Sequence, residues 1–343
     1  MITGTLTGRK NFSYVNARVR ARRGDLITDQ EYRKLVKMDI PGIAEFLGKR
    51  GYEQEMEELG ADHEGEDLIA AAVRQNLART YRELMDMSPD PVQELLDVYF
   101  RKFDIENIKM VLRAVHSGEE VEGLLVPTRE FDAAALERLA GMDSIEAVMD
   151  AVELDGLDGD IEEHLPDDPR LADMEDALDT HYYTAMVEEV EAVGGRSDLF
   201  RRFLETEAVL KNVSLVLRMK RRGHGYEDIV DRLIPVPARA DIDPEELAAL
   251  DTVDEIVDRL ADALDGVELG DRSPAEVQRA LETYKLRQGI RLMHADQLGV
   301  NPVLGFMVCK EVEATNLRML ARATEAGLGD EFIERNLVEG VAS

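Results

Sequence analysis

The residues in this 343-residue chain with the right types for chemistry are its clustered carboxylates, its histidines and one thiol. Residues 155–164, DGLDGDIEEH, crowd acids as a calcium-binding loop does. Counted from Asp158, Asp160 and Glu162 keep register, but Glu163 stands where such a loop needs glycine, so the run reads as an acidic linker. The six histidines, at 63, 116, 164, 181, 224 and 294, have no second His or Cys at metal-ligand spacing, so no zinc site is expected. Cys309 has no local base or cation to activate it and reads as a small buried apolar residue. The Gly-Lys pair in LGKRG at 47–51 lacks the upstream glycine and the hydroxyl of a phosphate loop, and Gly194-Gly195 reads as a helix stop. These patterns predict no catalytic residue, cofactor, metal or small-molecule substrate.

One further constellation, Asp104, Asn107, Lys109 and Arg113 in FRKFDIENIKMVLRAVHSG at 100–118, invites a reading as a polar site. Its two echoes argue otherwise. LETEAVLKNVSLVLRMKRRG and FMVCKEVEATNLRMLARATEAG repeat an Asn, an Arg six residues on and a Gly five residues later. The triplets are Asn107, Arg113, Gly118; Asn212, Arg218, Gly223; and Asn316, Arg322, Gly327. Glu313 matches Asp104, but Val209 holds that place in the second copy, so the acid is not part of what recurs. The triplets read as architecture: a C-capping Gly, an Arg on the polar side facing an acid, and an Asn at the edge of the apolar face, placed to bond a neighbouring helix.

The elements around these residues share a period near 104, the size of a small domain and too long for a solenoid. Met38-Asp39 precedes Met142-Asp143 by 104; Leu250-Asp251 follows in the third place; VP at 126–127 faces IP at 234–235. Ser144 and Thr252 suit helix N-caps, and Pro41 has the corresponding role near a helix start. Ile105, Ile108, Val111, Leu112 and Val115 share one helical face, and Val213, Val216 and Leu217 hold matching places. No alternating run suggests strands. Gly/Asp/Pro-rich breaks at 155–169 and 265–274 separate the copies. The third copy ends without its own Met-Asp segment while an unmatched one opens the chain. The expected division is therefore an N-terminal segment at 1–60 completing the third unit, a first repeat at 61–165, a second at 166–270 and a third at 271–343. A linear string of three units stays open as the alternative.

Charge separates habitat from function. With 72 Asp+Glu against 41 Lys+Arg, the net charge is -31, and only ten of the cations are Lys. Self-repulsion on that scale is screened where the Debye length falls to about 3 Å, near 1 M salt. The composition points to a salt-filled cytoplasm and away from nucleic acid. A single cysteine allows no internal disulfide. No apolar run reaches the roughly 18 residues of a spanning helix, nor is there a signal-peptide core. Against this background Arg9, Lys10, Arg18, Arg20, Arg22 and Arg23 form an acid-free basic stretch with Phe12, Val15 and Val19 at helical spacing. It reads either as an interface toward lipid head groups or an acidic partner, or as a face neutralised internally.

YVNARVRARRGDLITDQEYRKLVKMDIPGIAEFLGKRGYEQEM, YFRKFDIENIKMVLRA and CKEVEATNLRMLARATEAGL, with the threefold repeat, resemble the C subunit of archaeal A-type ATP synthases. That family is similar to the d subunit of eukaryotic vacuolar ATPases. The resemblance spans essentially the whole chain, departing in extra linker acids and scarce Lys. It implies an all-α, funnel-shaped protein of three similar helical domains around a pseudo-threefold axis. It further implies a non-catalytic central-stalk subunit on the cytoplasmic face of the cell membrane, peripheral to it. The implied partners are the proteolipid rotor ring and the central shaft, which it couples in proton-driven ATP synthesis. A free helical scaffold or adaptor sharing the repeat is the alternative.

Overall fold

The computed structural model describes residues 4–119, 121, 125–128, 131–152, 169–193, 198–239, 241–264, 267, 273–295 and 299–342. The calcium-like run at 155–164, Gly194 and Gly195 lie outside these residues, as does most of the 265–274 break. Sixteen helices are present among the described residues. They are α1 (Gly4–Arg23), α2 (Asp29–Leu35), α3 (Ile40–Gly48), α4 (Glu53–Leu59), α5 (Gly65–Met87), α6 (Asp90–Ser117), α7 (Ala133–Ala140) and α8 (Ile145–Ala151). The second half adds α9 (Leu171–Val193), α10 (Asp198–Arg221), α11 (Tyr226–Val230), α12 (Pro244–Ala249), α13 (Val253–Ala263), α14 (Pro274–Ala295), α15 (Asn301–Glu325) and α16 (Asp330–Asn336). Apart from an isolated bridge between Arg239 and Ile242, no strand pairing occurs among the described residues; the fold is all-α.

Short polar side chains set many of the starts. Ser144 accepts from the Ala147 N–H at 3.1 Å, and Thr252 accepts from Glu255 at 3.2 Å while the Glu255 carboxylate reaches back to the Thr252 N–H. At α3 the cap is Asp39, which accepts from Gly42 at 2.9 Å; Pro41 sits at the second helical position, where a missing N–H costs nothing.

The chain divides into two compact units, one of residues 1–94 with 264–343 and one of 95–263. In the first, α15 is buried over most of its length, with α14, α5, α1 and α3 packed on it. Helices α14 and α15 run antiparallel and meet at Gly289 and Gly305. A Cβ on Gly305 would press into the Met293 Cβ and stand 2.5 Å from the Gly289 carbonyl oxygen, so only hydrogen fits there. The N-terminal helices are tied to α15 through Glu313, which is fully buried. Its carboxylate accepts from the Ile27 N–H (2.6 Å), the Tyr52 hydroxyl (2.7 Å) and the Lys310 ammonium (2.6 Å). Burial and this carboxylate push the Tyr52 phenol well above its usual range, so it remains a donor.

In the second unit α10 is the central helix, with α9, α12 and α13 packed against it. Val209, Val213 and Val216 are fully buried, and Tyr99 meets Phe200 edge-on at 6.0 Å between ring centroids. The apolar face expected for α6 is buried at Ile105, Ile108, Val111 and Leu112; Val115 is half-buried.

Candidate functional site

The repeated triplets build one structure three times, at the C-terminal ends of α6, α10 and α15. Each glycine takes the left-handed conformation that terminates a helix: φ is 74° at Gly118, 82° at Gly223 and 67° at Gly327. In each case the next N–H turns back to a carbonyl five residues earlier, from Glu119 to Ala114 (3.2 Å), His224 to Met219 (3.1 Å) and Leu328 to Ala323 (2.9 Å). The chain then returns along the helix it has just left.

The asparagines hold that return. Each side-chain amide pairs with both backbone groups of a single residue. Asn107 donates to the Val126 carbonyl at 2.7 Å and accepts from its N–H at 3.0 Å. Asn212 does the same with Ile234, at 2.9 Å each way, and Asn316 with Val338, at 2.8 and 3.0 Å. All three asparagines are at most 2% exposed. Their partner is therefore the returning main chain rather than the neighbouring helix the sequence suggested. The sequence carried a signal for this: Val126 and Ile234 are the residues that precede Pro127 and Pro235.

The arginines vary. Arg113 makes a two-pronged pair with Glu175 of α9 at 2.6 and 2.8 Å, and this bond holds the guanidinium more firmly charged. Arg218 pairs with Asp176 of the same helix, while Arg322 stands 4.0 Å from Glu66 at the start of α5. Helix α9 in fact carries a ladder of acids that no sequence motif marked. Asp173 binds Arg232, and Asp179 binds both Lys109 and Lys211. Burial pushes the Asp179 carboxyl up, but the two lysines outweigh it and hold it below the usual range.

A buried carboxylate accompanies the clamp in every copy, including the one where the sequence showed Val209; it grips the returning chain in the first two and the N-terminal segment in the third. Asp104 accepts from the Thr128 hydroxyl, and Glu313 from the Ile27 N–H. In the second copy Glu205, one turn before Val209, takes the role by binding Arg239 at 2.6 Å. Cys309 is buried beside this framework, and its thiol is pushed up to about 12 by burial, beyond use as a nucleophile near neutrality.

The basic stretch lies on α1, whose Val15 and Val19 are buried against the first unit. Arg22 is turned inward to Glu83, Arg23 is half-buried, and Arg18 and Arg20 are exposed. Arg9 and Lys10 fall on the helix, with side chains outside the description. Among the described residues no helix is long and apolar enough to cross a membrane, and no group of three or more metal-ligating side chains gathers.

The family profile described as ATP synthase (C/AC39) subunit matches residues 15–336. The chain belongs to this family. It is similar to the A-type ATP synthase C subunit of Haloferax volcanii, 37% identical over 97% of this chain and 99% of the relative. The corresponding protein of Halorubrum lacusprofundi is 34% identical over 96% and 98%, and that of Methanosarcina barkeri 30% over 96% and 94%. Membership in the family makes the chain an A-type ATP synthase subunit, one component of an assembly of several different chains and a structural rather than a catalytic one.

Proposed function

We propose that this subunit is the socket of the central stalk, a rotor component seated on the cytoplasmic mouth of the membrane ring and receiving the lower end of the shaft. Ion flow turns the ring, the socket turns with it, and the shaft carries torque to the catalytic head in proton-driven ATP synthesis. The protein is then peripheral to the cell membrane, with ring and shaft subunits as partners and no cofactor of its own. The observation that carries this reading is the threefold recurrence of one clamped helix end within a single chain. A torque coupler has to be stiff, and buried amide clamps with antiparallel helices supply stiffness without catalytic machinery.

Within this reading the three copies stand around a pseudo-threefold axis as a funnel. The N-terminal segment, residues 1–60, would complete the unit of 271–343 beside units at 61–165 and 166–270. Two contacts support that closure. Gly340 donates to the Asp29 carboxylate at 2.9 Å, drawing the two chain ends together. Helix α3 packs on α15 as the short helices α12 and α13 pack on α10.

The test is comigration. In detergent-solubilised membranes the protein is expected to run with both the ring and the shaft. Its recovery as a free protein, or with the catalytic head alone, would overturn the coupler in favour of an adaptor.

A further inference from the structure

Helix α1 buries one face and displays another of unlike character. Tyr14, Ala17, Arg18 and Ala21 recur at the spacing of a single helical stripe, and all four are exposed, Tyr14 to 57%. No carboxylate occurs between Gly4 and Gly24, in a chain whose net charge is -31. With the six cations of this stretch set aside, the remainder is more negative still. We propose that this face of α1 is the seat of a carboxylate-bearing helix from another protein of the complex. The proposal rests on the coupler reading above and adds the chemistry of one contact to it.

Three features favour a helix over a lipid surface. The exposed stripe of α1 is one helix wide. A helix, about 10 Å across with side chains, matches that width. Ala17 and Ala21 add almost no height beyond the backbone, which allows a second helix to approach at the short end of the usual interaxial range. Between them Arg18 offers the planar fork that matches a carboxylate, and Tyr14 offers a rigid ring of the kind that anchors interface centres. Salt adds a fourth reason. Where the Debye length is about 3 Å, long-range attraction to a charged surface vanishes and only pairs in contact persist.

The experiment places a benzophenone side chain at Ala21 in the full-length protein, irradiates the assembled complex, and locates the adduct by mass spectrometry. The expected adduct lies on a helical segment of another protein with Asp or Glu within one turn. Arg18→Glu is expected to lower its yield about tenfold or more, the size of effect found when one partner of a close charge pair is reversed. Changing the mapped acid to Arg should restore the yield. Ala17→Leu, which adds bulk without charge, should lower it as well. Adducts on lipid, on this chain itself or on a segment lacking carboxylates would overturn the proposal. So would Arg18-dependent flotation of the protein with phosphatidylglycerol vesicles, which would assign the face to the membrane. Comigration with ring and shaft but no helix adduct sinks this contact alone, whereas failure to comigrate sinks the coupler reading and this contact with it.

Discussion

At the scale of single residues, a neutral amide does more here than the charges around it. Replacing Asn212 by Ala would leave the N–H of Ile234, a residue 4% exposed, buried without a partner, and would leave its C=O only the Val236 N–H at 2.9 Å. An orphaned buried group costs about 1–3 kcal/mol, and with the weakened carbonyl the variant is expected to lose about 2–3 kcal/mol. Arg113→Ala removes a better-looking ion pair, yet that guanidinium is half exposed, and the expected loss is about 1 kcal/mol or less. Urea midpoints at unchanged slope would measure both, and equal losses would refute the amide clamp as the fixing contact. The spacing of Asn, Arg and Gly was legible in the sequence because all three sit in one helical register. Their partners were not, since Ile234 lies 22 residues beyond Asn212 across a glycine stop and a short helix. Glu205 was missed for a similar reason. A buried acid displaced by one turn serves the same returning segment, and strict alignment hides it.

At the scale of elements, helix starts were readable and helix contacts were not. Ser144 and Thr252 announce caps because the capping bond is local, formed with an N–H three residues away. Glycine is harder, because the same residue serves opposite ends. Gly327 ends α15 at a positive φ with open space around it, whereas Gly305 lies inside that helix and is there for the close approach of α14. A sequence reading treats glycines as joints and has no means of knowing what will press against one from another helix. Gly305→Ala would drive a methyl into the Met293 Cβ and the Gly289 carbonyl oxygen, neither of which can swing aside. Overpacking of that kind costs about 3 kcal/mol. Gly327→Ala meets no atom within 4 Å and pays only the left-handed backbone penalty, about 1–2 kcal/mol. Thermal unfolding of the two variants should preserve this order; the reverse order would mean that α14 and α15 can separate at little cost.

At the scale of the whole molecule, the two units differ in how the chain supplies them. Residues 95–263 are continuous, but the other unit joins 1–94 to 264–343 and cannot be completed until both ends are present. Its dependence on the N-terminal segment is chemical as well as topological. Glu313 is 0% exposed and takes two of its bonds from Ile27 and Tyr52, so removing residues 1–60 leaves a buried carboxylate facing Lys310 alone. Stripping part of the coordination from a buried charge costs about 3–5 kcal/mol, a large share of a unit's stability. Amide exchange on the truncated chain should therefore show lost protection in α5, α14 and α15. Protection in α9 and α10 should persist, because their core is built from residues the truncation leaves in place. Unchanged exchange across 301–325 would mean that α14 and α5 suffice to hold α15. The N-terminal helices would then decorate that unit and not complete it, and the chain would be better described as a linear series than as three modules closed on one another.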